Sequence, residues 1–112
     1  MALMGMTVAP VNMLSARVNF EPATAGNNTL VAGVAAQTIR VYRLILTLSA
    51  SSDLEVRDGT TTVLADLYAR TGVTLDLVPQ DKEWFLTTAG NGLILNSSAA
   101  VNIGGRIWYA QD

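Results

Sequence analysis

Residues 38–50, TIRVYRLILTLSA, form the longest β-type run in the chain, free of Gly and Pro and charged only at Arg40 and Arg43. Read with the two-residue period of a strand, Ile39 and Val41 fall on one side, and Tyr42, Leu44, Leu46 and Leu48 on the other. A one-residue slip moves every later side chain to the opposite face, so two arrangements satisfy this pattern. Either a β-bulge near Val41 to Arg43 turns both sets into one core, or the strand is buried on both faces, against a second sheet and against another subunit. In both cases Arg40 and Arg43 need partners, because an unpaired buried charge is costly. The rest of the chain reads as strands arranged around this one.

Residues 13–20 alternate with Leu14, Ala16, Val18 and Phe20 on one side, which predicts a half-buried strand ended by Glu21-Pro22. A loop is predicted over Ala23 to Asn28, because Gly26, Asn27 and Asn28 tolerate positive φ, and a short strand over Thr29 to Val34, weakened or bulged at Gly33. Asp53 to Asp58 alternates again and runs into Asp58-Gly59, a hairpin signal. Over Thr60 to Arg70 a helix competes, since Val63, Leu64, Leu67 and Tyr68 also fit helical spacing, but the Thr run and the surrounding strands favour β. Val73 to Val78 is a further strand, followed by turn chemistry over Pro79 to Lys82. Trp84 to Thr88 is predicted to pair back through Ala89-Gly90-Asn91-Gly92 with Leu93 to Asn96. Val101 to Tyr109 closes the chain, and Gly104-Gly105 within it implies a bulge or a backbone passing close, here that of a neighbouring chain.

Eight or nine short strands at spacings near ten residues predict an all-β sandwich or barrel. At 112 residues the chain is one domain by size. Residues 13–112 are expected to form it and residues 1–12 an extended N-terminal arm, whose apolar run is broken too early for a signal sequence or a membrane span. Only 14% of the residues are charged, against about 25% in ordinary soluble domains, which points to surface covered in an assembly. From these surplus apolar positions we expect a subunit contact on the long and last strands, at Arg40, Tyr42, Leu44, Arg106 and Trp108. A second contact is expected along the arm, at Met1, Leu3, Met4, Met6, Val8 and Val11.

The composition argues against most chemistry. There is no His and no Cys, which removes the commonest general base, thiolate metal sites and disulfides. The nine carboxylates fall mainly in turns and at outward strand positions, with no metal-loop spacing, so no metal, cofactor or catalytic residue is expected. Seven scattered basic residues and a net charge of −2 give no footprint for nucleic acid. Trp84 and Phe85 must face opposite ways, as must Trp108 and Tyr109, placing one of each pair in the core. The other of each pair is left for a rim, an interface or, less readily, a stacked sugar.

Taken in order, Ile39-Arg40-Val41 opening the long strand, the Asp58-Gly59-Thr60 hairpin, Trp84-Phe85-Leu86-Thr87, Gly92 with Leu95, and Val101-Asn102-Ile103-Gly104-Gly105 before Trp108 resemble a group of small virion proteins of tailed bacteriophages. The resemblance covers residues 29–112 and rests on order and spacing. It implies a single-domain antiparallel β-sandwich, jelly-roll-like, acting as a head decoration (cement) protein. Such a protein would be made in the host cytoplasm and sit on the capsid surface of the virion as a homotrimer. Its partner would be the major capsid protein, with no membrane and no nucleic acid involved, and the arm residues would make the capsid contact. A phage head-fibre or tail β-module, or a carbohydrate-binding module for a host glycan, is the alternative. None of these is an enzyme.

Overall fold

The computed structural model describes residues 13–70, 74–77 and 82–112. The predicted arm, with Met1, Leu3, Met4, Met6, Val8 and Val11, lies outside the described residues, as do Val73, Val78 and most of the predicted turn before Lys82. The strands are β1 (Leu14–Phe20), β2 (Gly26–Val31), β3 (Ile39–Leu48), β4 (Ser52–Asp58), β5 (Thr62–Ala69), β6 (Thr74–Leu77), β7 (Phe85–Leu86), β8 (Leu93–Ser97) and β9 (Ile103–Gln111). Among the described residues there is no helix, so the β reading of residues 60–70 holds.

The strands form two antiparallel sheets, β1-β9-β3-β6 and β2-β8-β4-β5, with the two-residue β7 also paired to β3. Chain-consecutive strands alternate between the sheets, except in the β4–β5 hairpin and where β6 leads to β7. A five-stranded and a four-stranded sheet wound in this order make a jelly-roll sandwich. The core lies between them and includes Val18, Ile39, Val41, Leu44, Leu46, Leu48, Leu54, Val56, Leu93, Leu95, Ile103 and Ile107, all nearly inaccessible to solvent. Each such side chain contributes roughly 1.5–3 kcal/mol relative to an exposed position.

The phase change in the long strand is a bulge. Val41 faces Tyr109 and Arg43 faces Trp108, leaving Tyr42 unpaired between them. As a result Ile39 and Val41 enter the same core as Leu44, Leu46 and Leu48, and burial of this strand against a second subunit is not needed to explain its pattern. On the other edge of β3, β7 pairs with Arg40 and Val41 and β6 pairs from Leu44 onward, so the bulge sits in the gap between two partners.

Three local expectations are corrected. Gly26, Asn27 and Asn28 are in β2 rather than in a loop, because the buried Asn28 amide bonds the Thr24 N–H and the carbonyls of Thr24, Gly26 and Leu95, supplying locally what a turn would. The Asn91-Gly92 turn does not close a hairpin. It carries the chain from β7 in one sheet to β8 in the other, since β8 finds its partners in β2 and β4. The backbone that passes close to Gly104-Gly105 is the chain's own: a Cβ at Gly105, whose φ is 148°, would lie 1.8 Å from the Ile45 carbonyl oxygen of β3.

The inter-sheet turn is held by a carboxylate. Asp58, at the end of β4 beside Gly59 (φ 68°), is 8% exposed and accepts hydrogen bonds from the Thr88 N–H, the Thr88 hydroxyl and the Asn91 amide, at 2.7–3.0 Å. Burial pushes its pKa up, but the Thr88 hydroxyl, the Asn91 amide and the Thr88 N–H outweigh that and leave it below the ordinary 3.8. A depressed folded-state pKa stabilises the fold at pH above the unfolded value, and that contribution disappears as pH falls through 3.8 toward the folded value. We therefore expect Asp58→Asn to cost about 2 kcal/mol in urea unfolding near neutral pH. We also expect the difference between the two proteins to shrink on acidification from about pH 5 to about pH 3. A constant difference across that range would remove Asp58 as the acid-sensitive clasp.

Candidate interaction faces

Alternation along β1, β9, β3 and β6 sends one set of side chains to the core and the other to the outer face of that sheet. On that face Arg17 of β1 stands directly opposite Arg106 of β9, and Arg106 in turn opposite Ile45 of β3, which faces Asp76 of β6. The neighbouring row holds Ser15, Trp108 and Arg43. Arg43 meets Asp76 through two bonds of 3.2–3.3 Å and lies over the Trp108 ring, 4.9 Å from its centroid. Arg40, at the end of the face, approaches Glu83 at 3.8 Å and Asp112 at 3.6 Å. Arg106 donates to the Ser15 hydroxyl at 3.0 Å, and among the described residues neither Arg106 nor Arg17 has an acidic partner.

Of the residues expected at a subunit contact, Arg40, Tyr42, Arg106 and Trp108 come together on this outer face. Leu44 does not: it is 1% exposed in the core, turned inward by the Tyr42 bulge. The partners that Arg40 and Arg43 required are present. The aromatic pairs also divide as alternation demands, Phe85 and Tyr109 packing on the core while Trp84 and Trp108 stay outside it. Trp108 offers less open ring than its position suggests, because Arg43 covers it.

The outer face of the other sheet has the opposite character. Glu55 stands directly opposite Asp66, and Asp53 opposite Tyr68, with Asn27 and Asn96 completing the Glu55 row. Arg57 binds Glu55 through two nitrogens and neutralises it, whereas Asp53 and Asp66 have no basic partner among the described residues. Tyr68 is 67% exposed at the rim of a shallow depression that Asp53, Asp66, Asn96 and Ser98 also line. These residues carried no sequence signal of function, because an alternating strand presents such side chains to water by default. Among the described residues no group of three or more potential ligands could hold a metal, and no buried side-chain nitrogen or oxygen lacks a hydrogen bond.

The fold and its faces define the class: a jelly-roll sandwich whose distinctive side chains stand on broad sheet faces rather than in a cleft. No family model and no curated protein matches the chain. A solved structure described as "Bacillus endospore appendages form a novel family of disulfide-linked pili" is similar in fold, with a TM-score of 0.53 and 14% identity over 99% of this chain and 96% of that one. At that identity the likeness is one of fold.

Proposed function

We propose that the protein is a structural subunit, not an enzyme, and that it serves as a decoration protein on the outer head surface of a tailed bacteriophage, bound to the major capsid protein as a homotrimer. The observation that carries the reading is the outer face of the β1-β9-β3-β6 sheet, where Arg17, Arg40, Arg43, Arg106, Tyr42 and Trp108 form one broad surface. The order of strand motifs from Ile39-Arg40-Val41 to Trp108 supports the phage reading. The similar structure is described as disulfide-linked pili, another assembly, but this sequence has no Cys with which to form such a link.

The test requires a major capsid gene in the same genome, whose product is assembled into shells. Added protein should cosediment to a fixed saturation ratio and raise the shell melting temperature, since a ligand at about a hundred times its Kd adds about 2.7 kcal/mol. Shells that neither bind it nor gain stability overturn the proposal. The exposed Tyr68 beside Asp53, Asp66 and Asn96 favours a second reading, a glycan-binding module. In that case a glycan array gives discrete hits that Tyr68→Ala abolishes.

A further inference from the structure

We propose that copies of this chain associate through unlike faces, the basic outer face of the β1-β9-β3-β6 sheet of one copy docking on the acidic outer face of the β2-β8-β4-β5 sheet of the next. Two observations meet here. The first face carries a like-charge pair directly opposite across neighbouring strands, Arg17 with Arg106, while on the second Asp66 faces a Glu55 whose charge Arg57 already neutralises. A like-charge pair opposes strand association inside a subunit. After internal ion pairs are formed, the cations left over on the first face are Arg17 and Arg106, and the anions left over on the second are Asp53 and Asp66, counted among the described residues. The surplus charges are thus segregated to opposite sides of the sandwich with opposite sign, and the surface they fit is the other side of the same molecule.

Each face also offers aromatic area beside its charges, Trp108 under Arg43 on the basic side and the exposed Tyr68 between Asp53 and Asp66 on the acidic side. Charge selects and orients such a contact, and the aromatic area beside it provides apolar burial. A contact between unlike faces leaves one of each free, and because the two faces lie on opposite sides of the sandwich it runs on as a stack. This inference goes beyond the trimer reading above by naming surfaces through which copies stack, and it does not depend on a shell.

Sedimentation velocity on the full chain tests it. The wild type should exceed monomer mass at about 0.02 M salt and fall toward it at about 0.5 M, where screening acts within a few ångströms. R17E/R106E and D53K/D66K should each be monomeric, and an equimolar mixture of the two should associate again, because each then offers the face the other lost. If a reversal variant does not fold, R17Q/R106Q serves in its place. It should weaken association about tenfold while leaving the monomer as stable as wild type or slightly more so, since the like-charge pair is relieved. A wild type that stays monomeric at low salt, or reversal variants that associate like wild type, or a mixture that stays monomeric, each overturns the proposal. Shell binding measured in parallel keeps its failure distinct from failure of the decoration reading.

Discussion

Gly105→Ala is expected to abolish folding of this domain, while Gly104→Ala one residue earlier is expected to be tolerated. A methyl group at Gly105 would sit 1.8 Å from the Ile45 carbonyl oxygen and 2.8 Å from its carbon, where real contacts essentially never fall below 3.0 Å. No rotamer relieves this, since a Cβ has none, and the φ of 148° is itself strained for any residue with a side chain. Relief requires β9 and β3 to separate inside their ladder, at Leu46 with Gly105, two pairs before it ends at Leu48 with Ile103. The cost combines strain of about 1–3 kcal/mol with lost ladder bonds and core packing, enough to exceed about 4 kcal/mol. At Gly104 the nearest atoms to a Cβ are the Thr47 hydroxyl at 3.7 Å and the Val18 carbonyl oxygen at 3.9 Å, ordinary contacts, so Ala there should shift stability by no more than about 1 kcal/mol. Circular dichroism and thermal melting of the two variants decide the matter. Equal stabilities would mean that the strands do not pass as closely as described.

That contrast shows how far the sequence can be read. The pair Gly104-Gly105 announces a close backbone, but not whose, and the sequence leaves a neighbouring chain as an equal answer. Register settles it, and register between β3 and β9 belongs to segments far apart in the chain. The long strand is similar: its apolar phase change restricts the answer to a bulge or to burial on two faces, and only the pairing of Val41 with Tyr109 and Arg43 with Trp108 selects the bulge. Short-range signals were read well where the partner strand is the next in sequence, as at Asp58-Gly59, and misread at Asn91-Gly92, where the same turn chemistry reverses the chain into the other sheet. Turn residues specify direction, whereas strand partners follow from which apolar faces must meet.

The candidate faces were less legible than the core. Arg106 and Trp108 stood out as polar and aromatic positions in the last strand, yet the Arg17 that faces Arg106 reads as an ordinary outward residue of the first strand. The juxtaposition exists because a jelly roll lays its first and last strands side by side. A surface position for Leu44 follows from the surplus of apolar positions only if the long strand is buried on both faces, on the assumption of an unbroken two-residue period. The extra residue at Tyr42 cancels that assumption and places Leu44 among the core side chains.

The bulge leads to an expectation that runs against intuition about deletions in a central strand: removing Tyr42 should leave the domain folded, whereas removing Ile45, only three positions on, should not. With Tyr42 gone, Val41 opposite Tyr109 and Arg43 opposite Trp108 become consecutive pairs of a regular ladder. Inward Val41, outward Arg43 and inward Leu44 then alternate without interruption. On the far edge of β3 the deletion falls between the β7 pairs, which end at Val41, and the β6 pairs, which begin at Leu44, so no described pair there is lost. The cost is that of closing a short gap and losing one half-buried aromatic, about 1–2 kcal/mol. Deleting Ile45 has the opposite consequence. If the chain beyond it keeps its backbone pairing, Leu46 and Leu48, 0% and 6% exposed in the native fold, turn outward and Thr47 turns into the core. Two exposed leucines at roughly 1.5–3 kcal/mol each account for about 3–6 kcal/mol, before the buried hydroxyl is counted. A domain of this size has about 5–15 kcal/mol of total stability. Urea unfolding should therefore show a cooperative transition for the Tyr42 deletion and none for the Ile45 deletion. A cooperative transition for both, or for neither, would mean that the extra residue at Tyr42 is not what brings Ile39, Val41, Leu44, Leu46 and Leu48 into one core.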